Sequence, residues 1–189
     1  KSTSAARDGA NVIVAARTCE PDPRRPGTIH TAAEEILAAG GKALPLVVDV
    51  RQEQQIAEAV AKGGAEFGRI DILINNASVI SITGVLETPI KRYDLITDIN
   101  VRGTFVCSQR CLQHLKRAKN PHILSLSPPI DLNPKWFAKH AAYKYCGVSR
   151  VIVSGAAASS HVVVPSSTAR SVLIRRYVPL SDSEMGCAF

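Results

Sequence analysis

The 189-residue chain is 46% hydrophobic and carries 23 Lys and Arg against 16 Asp and Glu, a formal charge of +7, with a pI near 9.4 and a mean hydropathy of +0.05. That is enough chain for one domain with its own core, its apolar runs fall well below the roughly 18 residues that span a bilayer, and no secretion signal opens it. Basic residues spread along the whole chain with only 5% aromatics argue against a nucleic-acid surface, and five scattered cysteines (Cys19, Cys107, Cys111, Cys146 and Cys187) without a C-x-x-C pair argue against a disulfide framework or metal site and for a reducing, intracellular compartment.

Lys1 to Asp8 reads as the tail of a helix that Gly9 ends, and Asn11 to Ala16 as the strand after it. Pro21, Pro23 and Pro26 mark Cys19 to Thr28 as a loop, and a helix is predicted from about Thr31 to Ala39, before Gly40-Gly41. Ala43 to Val50 is the next strand, apolar apart from Asp49 near its end. From Gln54 to Phe67, Ile56, Val60 and Phe67 fall on one side and Glu58 and Lys62 elsewhere, the pattern of a surface helix, which Gly68 closes. Ile70 to Asn75 is a strand, Tyr93 to Arg117 a long helix, and His122 to Ser127 a strand leading into a proline-rich stretch. Beyond about Arg150 the chain is rich in Ala, Ser and Val, with Val162-Val163-Val164 as its candidate strand. Short apolar runs alternating with helical patterns predict an α/β fold, a doubly wound parallel sheet.

Asn75-Asn76-Ala77 is the most informative stretch. It closes an apolar strand with two amides that such a strand gains nothing from burying, so it presents polar groups at the carboxyl edge of the sheet. In open α/β sheets ligands bind at that edge. Asn-Asn is also a common turn element, which is the alternative for these residues taken alone.

In combination, Asp49-Val50 after one strand, Asn75-Asn76-Ala77 after the next, Asn100 in the following long helix and Tyr143 after a serine-containing strand resemble the short-chain dehydrogenases/reductases. The similarity runs from Ala10 to about Val148 and stops near Arg150. It implies a Rossmann-like NADP-binding domain over residues 1–150, with 151–189 a divergent tail of uncertain structure. The implied chemistry is hydride transfer between a nicotinamide and a carbonyl or alcohol, with a lipid-like substrate. A peroxisomal or mitochondrial address, and pairing of two copies through the Tyr93–Arg117 helix, come with the same resemblance.

The resemblance also assigns residues. Arg17 stands where a basic side chain meets the adenosine 2′-phosphate, which favours NADP over NAD; an exposed loop arginine is the alternative. Asp49 and Val50 match the adenine contact, and a strand-end carboxylate capping the next turn is the other reading of Asp49. Asn75, Asn76 and Ala77 would line the ribose and nicotinamide, with Ser78 replacing the usual glycine. Asn100 matches the residue whose backbone carbonyl holds a water in a proton relay. Tyr143 would be the general acid/base, and Ser127 the donor to the substrate oxygen, although the usual serine position holds Pro128. A phenol needs a nearby cation to ionise near neutral pH, and the family supplies a lysine one helical turn on. Here Gly147 occupies that place and Lys144 is adjacent to the tyrosine, about 100° away around a helix.

A further departure concerns the start. The resemblance implies a chain that begins inside the helix after the family's first strand and its G-x-x-x-G-x-G phosphate loop; no such glycine pattern occurs in the 189 residues. In the family's strand order that strand lies between those at Val12 and Ile72, so the expectation is a sheet with two inner edges lacking their parallel partner. Two readings follow: an NADP-dependent oxidoreductase, or a catalytically silent relative with at most a binding role. A methyltransferase-like sheet using Asp49 leaves Asn75-Asn76-Ala77 without a purpose.

Overall fold

The computed structural model describes residues 2–23, 27–81, 83–126 and 171–174. Among them, five α-helices and five strands follow one another: α1 (Ser2–Arg7), β1 (Asn11–Ala16), α2 (Ile29–Ala38), β2 (Lys42–Val47), α3 (Glu53–Phe67), β3 (Ile72–Asn75), α4 (Ile90–Thr97), α5 (Thr104–Leu115), β4 (His122–Ser125) and β5 (Ser171–Ile174), with a π-helical turn, Asp98–Gly103, joining α4 to α5. The strands form one sheet in the order β2-β1-β5-β3-β4. β1 pairs with β2 and β3 with β4, both parallel, across helical crossovers, as the alternation in sequence predicts.

Period-two alternation along β1 divides the core between the two faces of the sheet. Ile13 and Ala15 point into one cluster with Ile56, Val60 and Phe67 of α3 and Val106, Cys111 and Leu115 of α5. Val12 and Val14 point the other way, onto Ala6 of α1 and Ile29, Ala32 and Ile36 of α2. Helices therefore cover both faces, the doubly wound arrangement. Burying each aliphatic side chain of this kind contributes roughly 1.5–3 kcal/mol. α3 lies very close to β1: a Cβ on Gly63 would stand 2.2 Å from Ile13 Cδ1, so any side chain there must displace the tip of Ile13.

Element ends follow local chemistry. Gly9 and Gly68 adopt left-handed conformations, φ 82° and 77°, and end α1 and α3 as their positions in sequence suggest. α2 starts at Ile29, two residues before the expected Thr31, because Thr28 caps it: its hydroxyl accepts from the His30 and Thr31 amides, and the Thr31 hydroxyl bonds back to the Thr28 amide at 2.8 Å. The expected Ala43–Val50 strand ends at Val47, leaving Asp49 and Val50 in the turn before α3. Pro45 is tolerated because β2 is an edge strand, paired only with β1. β3 begins at Ile72 rather than Ile70, after an ion pair of Arg69 with Asp71 at 3.0 Å. The long helix starts at Ile90, after Pro89, and is interrupted by the π turn.

No parallel strand stands between β1 and β3, in keeping with the expected incomplete sheet, but the place is not empty. β5, from the segment beyond Arg150, lies there antiparallel to both neighbours, with Val12 opposite Ile174 and Ile74 opposite Val172. Sequence reasoning passed over this strand in favour of Val162–Val164, which lies outside the described residues. Ser127 lies outside them too, so β4 is described only to Ser125.

Candidate functional site

At the carboxyl ends of β1 and β2, Arg17, Asp49 and Arg51 form a charged cluster. The Asp49 carboxylate accepts from Arg51 Nε (3.0 and 3.1 Å) and Nη2 (2.5 Å) and from the Arg51 backbone amide (3.0 Å). Arg17 Nη1 approaches the same carboxylate at 3.9 Å, with its side chain 54% exposed against 15% for Asp49. Asp49 is therefore principally the turn cap and Arg51 partner; its own amide donates to Gln55 Oε1 at 2.8 Å. Arg17 keeps most of its guanidinium free to meet a second anion.

The Arg51 side-chain hydrogen bonds hold the Asp49 carboxyl below its ordinary value near 3.8, against the opposing pull of partial burial. A carboxylate with a depressed native pKa adds stability above that ordinary value and loses it as the pH falls through the native one. Urea midpoints measured from pH 5 downward should therefore fall less steeply for Asp49→Asn than for the unsubstituted chain. Equal slopes would show that the cluster contributes nothing to acid sensitivity.

The centre of the sheet edge is built around Asn75. Its amide, buried at the end of β3, donates to Ser108 Oγ (3.2 Å) on α5 and Ser125 Oγ (3.4 Å) on β4, and Ser108 in turn donates to the Thr104 carbonyl (2.8 Å). Asn75 thus ties β3 to its neighbouring strand and helix. Asn76 is also buried. Asn75 and Ala77 line a shallow open depression with Val50, Gly103 and Thr104, which encloses no water-sized space.

Asn100 sits in the π turn, and its side chain does what sequence reasoning did not foresee. Oδ1 accepts from the Val79 amide and Nδ2 donates to the Val79 carbonyl, both at 2.9 Å. This two-way bond pins the chain just after Asn75-Asn76-Ala77. The Asn100 carbonyl accepts the Thr104 hydroxyl at 2.8 Å, which leaves a second lone pair on that oxygen. Asn100, Thr104 and Ser108 recur every fourth residue, a polar stripe visible in sequence. Gly103 keeps the turn close to the depression: a Cβ there would meet Val50 Cγ2 at 3.0 Å.

Of the expected site residues, the structure gathers Val50, Asn75 and Ala77 at one depression, and Arg17 with Asp49 at the neighbouring strand ends. Asn100 joins them through Val79. Tyr143, Lys144 and Ser127 lie outside the described residues. Burial pushes the Cys107 thiol up to about 12 and raises Cys111 as well, so these two pack as apolar groups rather than as nucleophiles. Among the described residues there is no cluster of metal-ligating side chains and no helix long and apolar enough to cross a membrane.

Residues 2–143 match the short chain dehydrogenase family. Over 139 residues the chain is 60% identical to hydroxysteroid dehydrogenase-like protein 2 of Danio rerio and 58% identical to that of Homo sapiens, covering 74% of this chain and 34% and 33% of those proteins. The chain thus spans about a third of the length of the curated relatives it matches. Among solved structures it resembles a short chain dehydrogenase from Mycobacterium thermoresistibile (TM-score 0.69, 49% identity, 77% of this chain and 54% of that one). It also resembles a metagenomic short-chain oxidoreductase in complex with NADP (TM-score 0.64, 26% identity, 78% and 64%).

Proposed function

The chain belongs to the short chain dehydrogenase family, whose members are oxidoreductases, and from that premise we propose that it is an NADP-dependent oxidoreductase acting on a carbonyl or alcohol of lipid-like character. The observation that carries the reading is the pairing of two features along one sheet edge: an Arg17 guanidinium that Asp49 engages only at 3.9 Å, and a shallow depression at the end of β3 lined by Asn75 and Ala77. The described residues suit the two ends of such a cofactor. Arg17 would meet the 2′-phosphate, Asp49 and Val50 the adenine side, and Asn75, Asn76 and Ala77 the ribose and nicotinamide. A glycine-rich cradle for the pyrophosphate is not among the 189 residues.

When bound, the nicotinamide supplies or accepts the hydride. In this reading Tyr143 passes the proton to or from the substrate oxygen, Ser127 donates to that oxygen, and the Asn100 carbonyl holds water for the relay. Lys144 would lower the phenol pKa only from a non-helical geometry, being adjacent to Tyr143. That adjacency favours a second reading, a chain that binds the cofactor without turning substrate over. Peroxisomal or mitochondrial placement and self-association through α4 and α5, where Phe105 is 53% exposed, belong to the same proposal.

Fluorescence titration with NADPH and with NADH tests the reading. Saturable NADPH binding, weakened roughly tenfold or more by Arg17→Glu while NADH changes little, is the expected result. A folded chain that binds neither nucleotide overturns it, and binding without oxidation of NADPH by carbonyl substrates selects the silent relative.

A further inference from the structure

The Asp49 carboxylate lies within reach of two arginines and is shared very unequally between them. Arg51, two residues on in the same turn, closes on it with Nη2 at 2.5 Å and Nε at 3.0 and 3.1 Å. Arg17, at the neighbouring strand end, stops at 3.9 Å, beyond the length of a charge-assisted hydrogen bond. The two strand ends are themselves joined, the Val48 amide donating to the Ala16 carbonyl at 3.0 Å. A side-chain rotation alone would bring Arg17 onto the carboxylate, yet its side chain stays 54% exposed.

Arg51 is fixed in this position by both ends of its own backbone. Its amide donates to Asp49 Oδ1 at 3.0 Å, and its carbonyl accepts from Arg102 Nη1 of the π turn at 3.0 Å. Asp49 is held as firmly: its amide donates to Gln55 Oε1 at 2.8 Å, and its carbonyl accepts from the Gln52 amide at 2.9 Å. Asp49 and, more weakly, Asp98 favour the charged form of Arg51. In return the Arg51 side-chain bonds do more than the charge of Arg17 to keep Asp49 ionised. A guanidinium fork meets a carboxylate through two bonds at once, which a lysine replaces only with a point charge.

We propose that Arg51 is a positioning residue for nucleotide choice: by occupying the Asp49 carboxylate it leaves the Arg17 guanidinium free for the 2′-phosphate of NADP. This rests on the NADP reading above and adds to it a residue that acts without touching the nucleotide. Two effects run in the same direction. An Asp49 carboxylate deprived of Arg51 draws Arg17 into a close ion pair, and its unbalanced charge repels a phosphate dianion arriving at the same strand ends. With Arg51 in place, two cations and one anion meet that dianion, and the cation nearer to solvent is the unengaged one.

Two measurements on the full chain test this. The first uses no nucleotide and follows the Asp49 carboxyl through an acid titration by carboxyl-carbon NMR. In the unsubstituted chain Arg17→Met should move its midpoint little, because Arg51 holds the carboxylate. In Arg51→Met the further change Arg17→Met should raise it by about one pH unit, because Arg17 has moved in. Equal shifts in the two backgrounds overturn the proposal. The second is fluorescence titration with NADPH and NADH, read as the ratio of their dissociation constants. Arg51→Met should lower the preference for NADPH about tenfold, and Arg51→Lys, which keeps a cation beside Asp49, clearly less. Asp49→Asn combined with Arg51→Met leaves no carboxylate to capture Arg17, so the preference should return to within about threefold of the unsubstituted chain. The ratio cancels any adenine contact that Asp49→Asn removes from both nucleotides. A preference that ignores Arg51→Met overturns the proposal, as does one that Asp49→Asn fails to restore, since Arg51 would then hold the phosphate itself. An unsubstituted chain that binds neither nucleotide, or prefers NADH, defeats the NADP reading and the inference together. A chain that prefers NADPH through Arg17 but is indifferent to Arg51 defeats the inference alone.

Discussion

Gly63→Val is expected to destabilise the chain by about 3 kcal/mol, a fall in Tm of roughly 6–12 °C for a domain of this size. The cause is steric. A Cβ at residue 63 would sit 2.2 Å from Ile13 Cδ1 and 3.3 Å from Cγ1, and Ile13 is 2% exposed inside the cluster formed with Val60, Phe67 and Leu73. The side chain has nowhere to go, so α3 must lift from β1 or Ile13 must leave its rotamer. Replacing a mid-helix glycine normally gains a few tenths of a kcal/mol in propensity, an order of magnitude too little to compensate. The diagnostic measurement is a double-mutant cycle by urea unfolding. Ile13→Ala leaves a void that accepts the new methyl groups, so the pair should lose clearly less than the sum of its members. Additive losses would show that the close approach of α3 to β1 is not the cause.

Asn100→Leu is the second large effect, expected to cost about 2–4 kcal/mol and to weaken NADPH binding at the same time. Leucine is close in size but takes away both partners of Val79, whose partly buried N–H and C=O each lose a 2.9 Å bond. Each backbone group left unsatisfied costs about 1–3 kcal/mol. Because only Ser78 separates Val79 from Ala77, freeing it should also blur the site's edge. Asn100→Asp separates two roles of the residue. It keeps an acceptor for the Val79 amide and the same backbone carbonyl, yet places a second acceptor against the Val79 carbonyl. Stability should fall for Asp as well as for Leu if the side chain is the anchor. Wild-type stability in both variants would leave only the backbone carbonyl as the reason for an asparagine there.

These two residues show what the sequence could and could not disclose. The strands and most helices are legible because burial imposes a period: Val12 and Val14 alternate with Ile13 and Ala15 between opposite faces, and Ile56, Val60, Gly63 and Phe67 follow one helical side. The glycines at 9 and 68 are legible as stops because only a left-handed residue fits there. Asn75-Asn76-Ala77 marks the end of the strand, but its amides are buried rather than presented at the edge, and that of Asn75 ties β3 to Ser108 and Ser125. The use of the Asn100 side chain is not legible, since it depends on where a loop residue 21 positions earlier comes to rest. The Arg51 pairing with Asp49 is equally hidden: the two carry opposite charge two positions apart in a turn, as many solvated surface residues do. β5 escaped for a third reason. Four residues carry almost no periodic signal, and the strand exists because two distant backbones need a partner, a demand made by the assembled sheet rather than by the segment itself.

The reversed sense of β5 also makes the sheet a partition. Ser171 stands beside Ala15, at the end of the sheet where Arg17 and the paired asparagines lie, whereas Ile174 stands beside Val12 and Ile72 at the opposite end. The polypeptide therefore enters this central lane at the end of the sheet that holds Arg17 and Asn75 and leaves it at the opposite end.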